Sequence, residues 1–271
     1  MEEVELPTFK EVIGPAYRTI FRRNKMHEDI HLEQRFLPLK INLDELSRFR
    51  DFFKYKEEVP MSYLYIFAQR GQVHLMLKKE FKLAIPGMIH IENIIQQFKE
   101  VNPMNPLTLD VVADVEMREG SLRPQFSVNF YQEDEKVGQC ESTYLVRRKS
   151  KGTNTPRELP AKIRSNQKIL WSIHENIGKL YGEIAGDKNP IHTSNLFAKI
   201  AGFKRSIVQG WYLVSRATNE IQNQIGKPIN SLHVNFIKPV YVNSDIYFKF
   251  NESEFRLKDN GTILVAGKYT T

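Results

Sequence analysis

The chain has 271 residues, 41% hydrophobic and 26% charged, which is globular composition with enough length for one or two cored domains and too many apolar residues for a disordered chain. It holds no run of 18 apolar residues, an acidic start (MEEVELPTFK) without an apolar leader, and one cysteine, Cys140. No membrane span, secretory leader, disulfide or cysteine-based zinc site is therefore expected, and a reducing, cytoplasmic compartment is. Lys and Arg outnumber Asp and Glu by 39 to 32, a net charge of +7 that is concentrated in one stretch and does not by itself point to nucleic acid.

In chain order, residues 1–35, with PAYRTIFRRNK, read as an amphipathic appendage. RFLPLKI then reads as a strand and LDELSRFRDFF as a helix. In IPGMIHIENIIQQFKEV, Met88, Ile91, Ile94, Ile95 and Phe98 recur at helical spacing behind a Pro-Gly start, which predicts an amphipathic helix. PLTLDVVADV alternates through Leu107, Leu109, Val111 and Ala113 as a strand, and QFSVNFYQ and QCESTYLVRR follow as two more, separated by the turns REGSLR and EDEKVG. From Arg147 to Arg164 seven basic residues face one acid, Glu158, within the turn-rich KGTNTPRELP. This reads as a solvated linker over 150–165, with a docking strip for an anionic ligand as the sharper alternative. No aromatic side chain is interleaved there, so a base-stacking surface is not expected.

The second half repeats the order. KILWSI is a strand and ENIGKLYGEIAG a helix. QGWYLVSRATNEIQNQI puts Trp211, Val214, Ala217, Ile221 and Ile225 on one helical face. PINSLHVNF and SDIYFKFNE are strands, KDNG is a hairpin turn, and TILVAGKYT is the last strand. The chain is thus read as a duplicated α+β unit, a long helix followed by an antiparallel meander that buries it, with Gly87 and Gly210 at corresponding helix starts.

Between the two helices of the second half runs GDKNPIH. Gly186 and Pro190 interrupt any continuous helix, and Asp187 and His192, five residues apart, can converge on one point. A carboxylate and an imidazole are the usual pair for moving protons near neutral pH. The plainer alternative is a capping Asp and a buried His bonded to backbone. His27, His31, His74, His90, His174 and His233 show no paired metal-ligand spacing, and no metal site is expected.

The segment resembles the MaoC-like dehydratase family, which includes the (R)-specific enoyl-CoA hydratases of the hotdog fold. The resemblance rests on Tyr181, Gly186, Asp187, Asn189, Pro190, Ile191, His192, Ala198, Gly202, Phe203, Ile207 and Gly210, and continues in VNFIKPVYVNSDI, from Tyr181 to Ile246 overall. It implies a double hotdog: a degenerate repeat over 36–149 that lacks the motif, and a catalytic repeat over 166–271. It also implies one active site per chain, with Asp187 and His192 holding a water and the Gly210 backbone N–H meeting the thioester oxygen. Asn189, Ser194, Gln209, Trp211 and Ser215 would line the substrate. The expected substrate is an acyl thioester of coenzyme A or of acyl carrier protein, with no further cofactor, no nucleic acid and possibly a homodimer. Lys188, Lys204, Arg205 and Lys238 are candidates to meet the coenzyme A phosphates, with a solvated surface charge the favoured reading of each. Two departures stand out: Gln209 replaces the family's His before the helix glycine, and Trp211 replaces a small or sulfur-containing residue. They keep open a non-catalytic acyl-CoA-binding protein as an alternative; a hotdog thioesterase is a second one, which the Gly-Asp-x-Asn-Pro-x-His spacing disfavours.

Overall fold

The computed structural model describes residues 3–22, 26–117, 121–146 and 168–271; the basic stretch read as a linker lies outside them. The first half runs β1 (Glu3–Val4), α1 (Phe9–Arg18), β2 (Ile30–Leu39), α2 (Leu43–Phe53), α3 (Met61–Leu77), β3 (Ile89–Gln97), β4 (Leu107–Val115), β5 (Gln125–Gln132) and β6 (Glu135–Leu145). The second runs β7 (Ile169–Ile173), α4 (Ile177–Ala185), α5 (Asn195–Ile200), α6 (Gly210–Ile225), β8 (Ser231–Phe236), β9 (Ser244–Phe250), β10 (Glu254–Asp259) and β11 (Thr262–Thr270). All eleven strands form one sheet, ordered β1-β2-β4-β5-β6-β3-β8-β11-β10-β9-β7.

That order carries the duplication. Reading outward from the centre, β3-β6-β5-β4-β2 on one side matches β8-β11-β10-β9-β7 on the other. The halves meet where β3 pairs antiparallel with β8, Ile94 opposite His233. Each half has a strand, a shorter helix, a long helix and then four antiparallel strands. This is a double hotdog, α+β in class. α3 packs on β2, β3, β4 and β5, and also touches α6. The two long helices thus share one interior.

The long helix of the first half is not where its periodicity placed it. Ile89–Gln97 is β3, a central strand between β6 and β8, and Gly87 sits in the turn before it with φ 94°. The pairing of Gly87 with Gly210 is therefore wrong, and Gly210 corresponds instead to the start of α3 at Met61. The physical reason is legible in hindsight. The segment is rich in β-branched isoleucine, and the adjacent Ile94 and Ile95 point to opposite faces of the strand, which breaks the alternation. α3 is apolar nearly all round, with Ser62 to Ala68 all buried, so it has no single-face signature to read. Two smaller differences are that EDEKVG turns only at Glu133 and Asp134, both with positive φ, and that β10 is a separate strand between SDIYFKF and the KDNG turn.

The N-terminal segment is docked on the body. β1 runs parallel to β2, and α1 packs on α3. The Arg70 guanidinium of α3 donates to the carbonyls of Pro7 (2.7 Å) and Leu6 (3.0 Å). Arg22 donates to the carbonyls of Met76, Leu77 and Lys78 at the end of α3 and to that of Leu83 beyond it.

Inside the first half runs a polar chain. Tyr65 Oη contacts His90 Nδ1 at 3.3 Å, and the His90 ring stacks on Tyr144 at 4.7 Å. Tyr144 Oη donates to Gln72, whose Nε2 donates to Ser142 Oγ, which also accepts from Asn93. Burial holds the His90 pKa down, from an ordinary 6.5 to about 4. The unfolded chain therefore takes up this proton first. The contribution is fully present above about pH 6.5 and is withdrawn as the pH falls toward 4, by roughly 3 kcal/mol. Urea unfolding at stepped pH should show that loss, and the difference between the native chain and His90→Phe should change over this window. A pH-independent difference would contradict a neutral, buried His90.

Candidate active site

Two glycines on one face of α4 bring the motif loop onto the helix. A Cβ at Gly178 would lie 2.2 Å from the His192 carbonyl oxygen, and one at Gly182 would lie 2.8 Å from that of Asp187. Any side chain at either place would lift the loop. Gly186 ends α4 in the left-handed region at φ 82°. Asn189 then caps the single 3-10 turn Pro190–His192, its Oδ1 accepting from the Ile191 N–H at 3.2 Å. The Asn189 N–H in turn donates to Asp187 Oδ1 at 3.3 Å.

These constraints aim the dyad. His192 Nδ1 lies 2.8 Å from the Ile207 carbonyl, which can only accept, so Nδ1 carries a proton and Nε2 is the nitrogen turned toward Asp187. Nε2 is 3.9 Å from Asp187 Oδ2, and the two side chains are only 10% and 16% exposed. This gap is too long for a direct hydrogen bond and suits one oxygen atom held by both groups. Tyr181, the first residue of the motif, is buried beside Phe53 and Tyr212; burial, with the Asp187 carboxylate, pushes its pKa well up.

Gly210 opens α6, whose first N–H groups have no intrahelical acceptor. A Cβ there would meet the Phe236 ring at 2.6 Å, so the bare backbone is required by the packing of β8. Gln209, at the N-cap, donates from Nε2 to the carbonyls of Gly178 (2.9 Å) and Asp187 (3.2 Å). Its side chain thus ties α6 to α4 and to the dyad loop. Trp211 is buried and stacks face to face on Tyr65 at 3.9 Å. Ser215 is fully buried one turn on, its carbonyl accepting from Tyr55 Oη at 2.7 Å. Ser194 caps α5 without a side-chain bond to it. The structure therefore brings Asp187, Asn189, His192 and Gln209 together around one loop and sets Trp211 and Ser215 in the helix packing behind it.

Three residues at this site had no signal in the motif. Gln69 of α3 reaches Asp187 Oδ2 with its Nε2 at 3.5 Å. Tyr17 of α1 donates to Asn189 Oδ1 at 2.6 Å, and Tyr65 of α3 carries the Trp211 stack. All come from the first half and are joined to the loop by topology alone.

The described residues thus form a double hotdog whose second repeat carries an Asp-His loop. Residues 153–271 match the family model described as the MaoC like domain. The chain is 25% identical over 192 residues to 3-hydroxyacyl-thioester dehydratase X of Mycobacterium tuberculosis, covering 69% of this chain and 68% of that protein. The crystal structure of HtdX from the same organism superposes with a TM-score of 0.73 at 20% identity, over 87% of this chain and 98% of that one. A MaoC-like dehydratase from Phytophthora capsici superposes at 0.64 and 16% identity, over 90% and 96%.

Proposed function

We propose that this chain interconverts a trans-2-enoyl thioester and a (3R)-3-hydroxyacyl thioester, carried on coenzyme A or acyl carrier protein. The observation that carries the reading is the 3.9 Å gap between His192 Nε2 and Asp187 Oδ2 beside the start of α6. In the hydration direction one water sits between the two side chains. Its O–H bond breaks toward the dyad while its oxygen bonds to the β-carbon. The electrons of the C=C bond move onto the thioester oxygen, where the Gly210 N–H and the helix dipole receive the charge; one such donor is worth about 3 kcal/mol. The proton held on the dyad then passes to the α-carbon, and the dyad is restored. Asn189 holds the loop and contributes its amide to the water or the thioester. Nothing in this cycle calls on a metal or a redox cofactor.

The test is to incubate the protein with crotonyl-CoA and a longer enoyl-CoA and follow the enoyl absorbance together with free thiol. Loss of absorbance without thiol is the expected result. Thiol release would instead mark a thioesterase, and binding without turnover a non-catalytic acyl-CoA-binding protein.

A further inference from the structure

The N-terminal segment ends on the motif loop. The Phe9 ring fills the space at Gly186, where a Cβ would lie 2.5 Å from its Cδ2. Two turns on along α1, Tyr17 Oη donates to Asn189 Oδ1 at 2.6 Å. The segment is not loosely laid there, because Arg70 holds its entry through Leu6 and Pro7 and Arg22 holds its exit on the end of α3.

A carboxamide has one acceptor and one donor end. Here Oδ1 of Asn189 takes two donors, Tyr17 Oη–H and the Ile191 N–H. That fixes which way the amide faces. Among the described residues Nδ2 donates to nothing, although Asn189 lies two residues from Asp187 and its own N–H is bonded to that carboxylate. We infer that Tyr17 is a positioning residue of the hydratase site: α1 closes over the motif loop, and the Tyr17 hydroxyl turns the Asn189 amide so that its NH2 meets the water or the thioester. Burial, with the Asp187 carboxylate, pushes the Tyr17 pKa up to about 12, so its hydroxyl stays a donor throughout the working range. A phenolate could not make this bond to Oδ1.

The inference rests on the hydratase reading for its kinetic consequence but not for its geometry, and the experiment separates the two. In Tyr17→Phe one hydroxyl is lost and the ring is kept, so the fold and Tm should stay close to the native values. With crotonyl-CoA, kcat should fall about tenfold or more while KM changes little, since misplacing a group near the reacting atoms acts on the transition state. Asn189→Ala should show the same split, and the double variant should be no worse than the worse single one. In parallel, the Asn189 side-chain amide is followed by 15N NMR relaxation; it should be held in one orientation in the native chain and released in Tyr17→Phe. An unchanged amide overturns the inference whether or not the protein turns over enoyl-CoA. An unchanged kcat in an active enzyme, or a lowered Tm with kcat intact, also overturns it and leaves Tyr17 a structural contact. A released amide in a protein with no hydratase activity keeps the geometric link and removes the hydratase reading alone.

Discussion

Asp187→Asn and His192→Ala are each expected to lower enoyl-CoA hydration by about 10²–10⁴-fold, the range general acid-base groups contribute. Their folds should survive. Asp187 keeps its size as asparagine, and the His192 ring is held at one edge by the Ile207 carbonyl rather than packed inside a helix face. The double variant should lose no more than the worse single one, because both groups serve the same oxygen across 3.9 Å. Steady-state rates for the four proteins decide this. Losses that multiply would mean two independent steps, and the shared water would have to be abandoned.

Trp211→Ala is expected to cost about 3–5 kcal/mol of stability, the usual range for deleting a core aromatic. Sequence alone allows this side chain either to line the acyl pocket or to pack. The structure buries all but 4% of it and lays it flat on Tyr65 of the opposite long helix, at 3.9 Å and 14° between planes. The indole is therefore part of what holds α6 against α3, and Trp211→Phe should recover most of the loss. Chain-length preference is the discriminating measurement. Pocket changes of a methylene or so are worth roughly 1–3 kcal/mol between substrates. If kcat/KM for long over short enoyl-CoA rises several-fold in Trp211→Ala, the ring lines the pocket and the packing account fails; the expected ratio is unchanged.

What could be read from the sequence was what is local. The strand Gln125–Gln132 and the helix Leu43–Phe53 follow their patterns to the residue, and Asn260 with Gly261 makes the predicted hairpin turn through positive φ. The Asp187 to His192 loop was legible for the same reason: its glycines, its proline and its polar side chains are contiguous. The helix read at Ile85–Val101 failed because periodicity is a property of elements with one wet face. α3 has none, and in β3 the adjacent Ile94 and Ile95 break the alternation that would mark a strand. Tyr17 and Gln69 were out of reach altogether. Each is 118 or more residues from its partner in the loop, and no spacing rule connects a helix at the start of the chain to a turn in its second half.

The seam between β3 and β8 has a further consequence for how the molecule behaves on dilution. Two separate copies of a single hotdog would have to find each other to pair these strands, and their contact would weaken as concentration fell. Here both strands belong to one chain, so the contact is intramolecular and its strength is set by tether length rather than by concentration. Among the described residues the pairing also leaves β1, two residues long, and β7, five residues long, at the two ends of the sheet. The β7 end gives a foreign strand few backbone groups to bond, whereas β1 covers only Arg35 and Phe36 of the ten-residue β2.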